Sequence, residues 1–109
     1  MELTALLFQL GITPNYKAYN QIISAISLAL QDTGVLLFMT KQLYPAVAQK
    51  HATNWRAVER NIRHASERAW QCNPVLLSRL AGYSLAGPPT SSQLIAILAR
   101  RCQEEQESK

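Results

Sequence analysis

The sequence predicts an all-α fold, a compact bundle of six or seven short helices, and three observations carry that prediction. Apolar residues recur at three- and four-residue steps along most of the chain, the period of a helix with one buried face. Gly, Pro, Asn and Ser/Thr punctuate these runs at helix-length intervals, as start and stop signals do. No segment alternates apolar and polar residues as a half-buried strand does, and no internal repeat or interdomain linker interrupts the 109 residues. With 48% hydrophobic and 17% charged residues, the chain can build one core over 1–109 and is not a disordered polyelectrolyte.

The elements follow in order. Residues 1–10 read as a short apolar helix closed by Gly11 at its C-terminal cap. Thr13-Pro14 opens a second helix, with Pro in the first turn, on which Tyr16, Tyr19, Ile22, Ile23, Ile26 and Leu30 recur at helical steps. Asp32-Thr33-Gly34 breaks it. Thr33 then caps a third helix, about 35–42, apolar on most sides and therefore expected at the centre. Pro45 starts a short helix to His51, and Ala52-Thr53-Asn54 is a tight turn with two cap-competent residues. A longer helix spans about 55–71. Asn73 caps the next, about 74–81, with Pro74 at its first position. A Gly/Pro loop covers 82–89, and Thr90-Ser91-Ser92 caps a last helix, about 92–104. The polar tail 103–109 is expected to fray.

Several functions are disfavoured at once. No apolar run approaches the roughly 18 residues of a membrane span. The start of the chain has Glu2 and no basic segment before Leu6-Leu7-Phe8, unlike a secretion signal. Cys72 and Cys102 are two isolated cysteines, read as reduced thiols of a cytoplasmic protein. Neither CxxC, HExxH, GxGxxG nor GxxxxGK[ST] occurs, and His51 with His64 makes no zinc site, so no metal, cofactor or catalytic residue is expected.

The net charge of +4 is unevenly spread. Residues 41–79 carry Lys41, Lys50, Arg56, Arg60, Arg63, Arg68 and Arg79 against Glu59 and Glu67, a net of +5, while the segments on either side are −1 and 0. Such clustering is the footprint of a phosphate-binding face. On a wheel of about 100° per residue, Val58, Ile62, Ala65 and Ala69 fall within about 60° of one another, and Arg56, Arg60 and Arg63 lie opposite within about 60°. Glu59 and His64 flank the arginines. One helix thus has an apolar back and an arginine front. Short helix, tight turn and longer basic helix is the helix-turn-helix plan, whose second helix reads the major groove. An arginine stripe opposite an apolar stripe is also what a solvated helix face looks like.

The run Val58-Glu59-Arg60-Asn61-Ile62-Arg63-His64-Ala65, followed by Ala69-Trp70, resembles the recognition-helix region of the C-terminal effector domain of stage-zero sporulation protein A. Gly11-Ile12-Thr13-Pro14, Lys17-Ala18-Tyr19, Thr40-Lys41-Gln42-Leu43-Tyr44-Pro45 with Val47-Ala48, Leu80-Ala81-Gly82-Tyr83 and Pro89-Thr90-Ser91-Ser92 with Ile95-Ala96 extend the resemblance over about residues 5 to 100. It implies a helical domain with a helix-turn-helix, sequence-specific binding of double-stranded DNA, transcriptional control of sporulation, and a place at the bacterial nucleoid. It leaves open a homodimer on tandem sites and pairing with a full-length regulator. The family's phosphoacceptor receiver domain has no counterpart here, so the chain reads as either an excised effector domain or a stand-alone protein.

The resemblance also implies roles. Arg60 matches a base-reading arginine, and Arg63 and His64 match phosphate contacts. The family has a second reading arginine where this chain has Ala57; Arg56, one place earlier, is expected to assist. Glu59 fits the pattern too, and either accepts from cytosine N4 or pairs with Arg56 or Arg63. The expected base readers are therefore Arg56, Glu59 and Arg60, and the expected phosphate contacts Lys41, Lys50, Asn54, Arg63 and His64. Trp55 is expected in the core in preference to the DNA flank, and Tyr16, Tyr19, Tyr44 and Tyr83 in or at the edge of the core. Arg100 and Arg101 are expected on a solvated face. The alternative function is a protein-interaction module or antagonist that binds DNA weakly; an enzyme is the weakest reading.

Overall fold

The computed structural model describes residues 2–107 and contains six α-helices and no strand among them: α1 (Glu2–Gln9), α2 (Lys17–Gln31), α3 (Tyr44–Lys50), α4 (Trp55–Cys72), α5 (Pro74–Ala81) and α6 (Ser91–Glu107). Two helices organise the rest. α4 packs against α2, α3, α5 and α6, and α2 packs against α3, α4 and α6, so both lean on one continuous core. Ile22, Ile26, Leu43, Val47, Val58, Ile62, Leu94 and Leu98 are wholly or almost wholly buried there. None of the helices is long and apolar enough to cross a membrane.

Three of the helix starts are capped within the residues the sequence marks for it. Asn54 Oδ1 accepts from the Ala57 amide at 2.9 Å and Asn73 Oδ1 from the Leu76 amide at 3.2 Å, each satisfying an N–H that the helix leaves unpaired. Thr90 and Gln93 form a reciprocal capping box, the side chain of each accepting from the amide of the other at 3.1 and 2.9 Å. At the far end of α1, Gly11 has φ +79°, and the amides of Gly11 and Ile12 donate to Phe8 and Leu7 carbonyls, a Schellman closure. The ends of α1 and α4 meet here: Asn73 Nδ2 donates to the Gln9 carbonyl and Arg68 Nε to the Gly11 carbonyl. Gly82, φ +88°, closes α5 through one bond to the Ser78 carbonyl.

Several expectations need correction. α2 begins at Lys17 rather than at Pro14, because residues 13–16 close a turn of their own: the Tyr16 amide donates to the Thr13 carbonyl and Thr13 Oγ1 donates to Asn15 Oδ1. The single central helix at 35–42 is instead a 3-10 stretch, Thr33–Leu37, then a π-helical one, Met39–Leu43, broken at Phe38. Asp32, not Thr33, caps it, accepting from the Gly34 amide. An apolar run without one preferred face cannot bury all of itself, so Met39 and Leu43 enter the core while Leu37 (81% exposed) and Phe38 (48%) stand outside.

Others lie toward the C-terminus. α6 continues through residues 103–107, with Cys102 buried against the core and Arg101 paired to Glu105 one turn on; residues 108 and 109, and Met1 at the other end, lie outside the described residues. Arg100 is exposed but spends its guanidinium on the Leu80 and Ala81 carbonyls, closing the open end of α5. Among the tyrosines, Tyr44 is buried and Tyr19 packs at the core edge as expected, while Tyr16, just before α2, and Tyr83, on the loop after α5, are exposed (37% and 55%).

Candidate nucleic-acid interface

α3 and α4 are joined by a reversal at 51–54 that is itself a Schellman closure. The amides of Ala52 and Thr53 donate to the Gln49 and Ala48 carbonyls, and Ala52 takes φ +53°. His51 anchors this corner to α2, its Nε2 lying 2.7 Å from Ser24 Oγ. Behind α4, Val58, Ile62, Ala65 and Ala69 are all buried, as the wheel requires, and Ser66 donates from its buried hydroxyl to the Pro89 carbonyl at 2.6 Å. Asn61 Nδ2 donates to Gln21 Oε1 on α2 at 3.2 Å. The helix is thus held along its back and on one flank, and its other face is presented to solvent.

Arg56, Arg60, Arg63 and His64 all lie on that exposed face. They differ in what already holds them. Arg63 donates to Glu59 Oε1 at 2.9 Å, one turn back. Glu59 Oε2 accepts from Ser91 Oγ at 3.0 Å, so both carboxylate oxygens are engaged. Arg56 lies over the Trp55 ring, 5.4 Å from its centroid, within cation–π range. Trp55 itself is 36% exposed, contrary to the core position expected of it: the buried stripe of α4 starts at Val58, and the first turn overhangs the bundle's edge. Among the described residues, the exposed Arg60 guanidinium has no hydrogen bond or ion pair, so its donors are unspent.

Of the other expected phosphate contacts, Lys50 is exposed at the end of α3, beside the corner, and Asn54 is exposed with Oδ1 used by the cap. Lys41 stands apart. It lies on the π-helical stretch in a groove with Leu37, Phe38, Thr40 and Ser92, which shares no lining residue with the cleft at Arg60.

That cleft, about 530 Å³ and open to solvent, lies between the start of α2, the 51–54 corner and the first half of α4. Lys17, Asn20, His51, Thr53, Arg60 and Asn61 line it. Lys17 also borders a smaller hollow with Tyr16 and His64. Charge counting by region had set Lys17 in a segment of net −1. Only the packing of α2 on α4 brings it beside Arg60 and His64, across a gap in sequence that no local pattern spans.

A short helix, a tight corner and a second helix with a buried back and a basic outer face define a helix-turn-helix domain. Residues 3–102 match the family described as Sporulation initiation factor Spo0A C terminal, and the chain belongs to that family, the DNA-binding effector domain of a sporulation regulator.

Proposed function

We propose that this chain is a sequence-specific transcription regulator that reads the major groove with α4. Arg60 is its principal base reader, and Arg56 assists from the first turn. The observation that carries the reading is Arg60: a planar fork of donors, without partner among the described residues, on the outer face of a helix whose back is buried. Such a fork can bond guanine O6 and N7 together in one plane, a geometry that lysine's flexible ammonium does not preorganise. Glu59 retains an open lone pair on each engaged oxygen and can accept from cytosine N4.

Arg63, His64, Lys50 and Asn54 would contact phosphates, with Lys17 added from across the cleft and Lys41 as an outlying contact. Phosphate contacts fix register and orientation while base contacts discriminate, so the two sets do different work. Binding as a homodimer on tandem sites, at the nucleoid in the cytoplasm, belongs to the same reading.

Selection of bound sites from a random duplex pool, run at two salt concentrations, tests it. The expected result is one enriched motif containing a guanine whose selection depends on Arg60. A pool without enrichment at either salt would replace this reading with that of an interaction module paired to a full-length regulator.

A further inference from the structure

The reading helix is tied to the start of the last helix by a line of hydroxyl groups. Tyr44, on α3, is 1% exposed, and its hydroxyl donates to Ser91 Oγ at 2.9 Å. Ser91 is the first residue of α6 and also buried; its hydroxyl donates to Glu59 Oε2 at 3.0 Å. The other oxygen of Glu59 accepts from Arg63. Ser92 Oγ lies 3.2 Å from the Tyr44 hydroxyl. Each hydroxyl has one proton, so these contacts fix one direction: Ser92 donates to Tyr44, Tyr44 to Ser91, and Ser91 to the carboxylate. A chain whose donors all point toward one negative charge strengthens along its length.

An exposed ion pair one helical turn apart contributes little and does not by itself hold two long side chains in one geometry. Glu59 and Arg63 would be such a pair without Ser91. With it, the carboxylate is gripped from a buried side, and the outer pair inherits that fixed position. We propose that Ser91 is a positioning residue of the DNA-reading face, acting through Glu59 to hold Glu59 and Arg63 in a single arrangement before DNA arrives. This inference rests on the proposed reading role of α4. Preorganisation of this kind removes an ordering cost from binding.

Ser91→Ala is a suitable probe because Tyr44 keeps a second hydroxyl neighbour in Ser92, so the buried phenol is not stranded. Two measurements test the proposal. The first needs no DNA: 15N relaxation of the Arg63 guanidinium, expected ordered in the unmodified protein and mobile in Ser91→Ala. Unchanged mobility would overturn the proposal, whatever the protein binds.

The second is the ratio of affinities for the selected duplex and a random one, expected to fall roughly 3- to 10-fold in Ser91→Ala, the scale of one hydrogen bond. In a Glu59→Ala background the same serine substitution is expected to have no further effect, and Ser92→Ala, whose hydroxyl bonds Tyr44 and neither Ser91 nor Glu59 among the described residues, is expected to change the ratio much less than Ser91→Ala. Equal losses in both backgrounds would make Ser91 a helix-end residue with a structural role alone. If the unmodified protein prefers no duplex, the DNA reading fails, and the Arg63 relaxation still decides the role of Ser91.

Discussion

Gly11 and Ala52 occupy the same position of the same motif, one closing α1 and the other closing α3. Each is the left-handed residue of a Schellman closure, at φ +79° and +53°. Only one of them is glycine. A left-handed φ costs a residue with a Cβ about 1–2 kcal/mol, and removing the Cβ returns about 0.4–1 kcal/mol to the unfolded chain as entropy. Ala52→Gly should therefore stabilise the protein by about 0.5–1 kcal/mol, read as a rise in thermal midpoint.

The reverse change at the other corner should do the opposite, and more strongly. A Cβ on Gly11 would lie 2.8 Å from Cys72 Sγ and 3.0 Å from Cys72 Cβ, on top of the dihedral strain. Gly11→Ala should cost about 1–3 kcal/mol in denaturant unfolding. Gly11→Ala together with Cys72→Ala should recover only the Sγ share of the clash, because the Cβ at position 72 and Arg68 Nε remain 3.0 Å away. If the single and double variants unfold alike, the strain lies in the backbone and not in the thiol contact.

The two thiols should separate cleanly. Cys72 is exposed, whereas Cys102 is buried, and burial, with a smaller push from Glu105 against the pull of Arg101, raises its pKa above the ordinary 9.0. A disulfide-exchange reagent at pH 8 should label Cys72 quickly and Cys102 only at the rate of local opening. Above pH 9 the unfolded chain releases the Cys102 proton while the folded chain retains it. The folded state then binds more protons, so this group's contribution to stability falls as pH rises. Cys102→Ala should flatten that alkaline slope.

How much of this was legible beforehand depended on whether the determining contacts were local. Caps are local: Asn54, Asn73 and Thr90 each accept from an amide three residues on, and the sequence names Asn73 outright and sets Asn54 and Thr90 within short cap-competent runs. The two stripes of α4 are a property of one helix and were equally readable. Failures came where an outcome depends on what packs alongside. The apolar run 33–43 has no dominant face, so nothing in its own residues says that Leu37 and Phe38 remain outside. Arg100 reads as a surface arginine until the end of α5 is laid beside it. Glu59 stood as either reader or ion-pair partner, and the hydroxyl of Ser91, 32 residues away, was invisible to either reading.

Lys17 offers a test of the cleft. It faces Arg60 and His64 across two hollows, and it is exposed. Each phosphate neutralised contributes a slope of about −0.9 to log K against log salt. Lys17→Ala should weaken selected and random duplexes by the same factor and reduce the salt slope by roughly 0.9. The same variant should leave the recovered motif unaltered, since a phosphate contact carries no sequence information. An unchanged slope would remove Lys17 from the interface and leave the cleft a hollow beside it.

Arg60 is where specificity should concentrate. Its guanidinium is exposed, has no partner among the described residues, and projects from the second turn of a helix fixed by Val58 and Ile62 behind it. Arg63 on the same face is already tied to Glu59, and Arg56 lies over Trp55. Arg60→Ala should cost about 1–3 kcal/mol on the preferred duplex and relax selection at one base pair, with a much smaller loss on random duplex. Arg60→Lys should restore the charge and the random-duplex affinity but leave the discrimination impaired, because an ammonium lacks the planar fork. Ala57→Arg adds a second fork one residue beyond Arg56 and should shift the recovered motif by a further guanine. Equal losses on both duplexes in Arg60→Ala would reassign Arg60 to phosphate. The base-reading role would then fall to Arg56, whose contact with Trp55 makes it the next arginine of the face with a defined position.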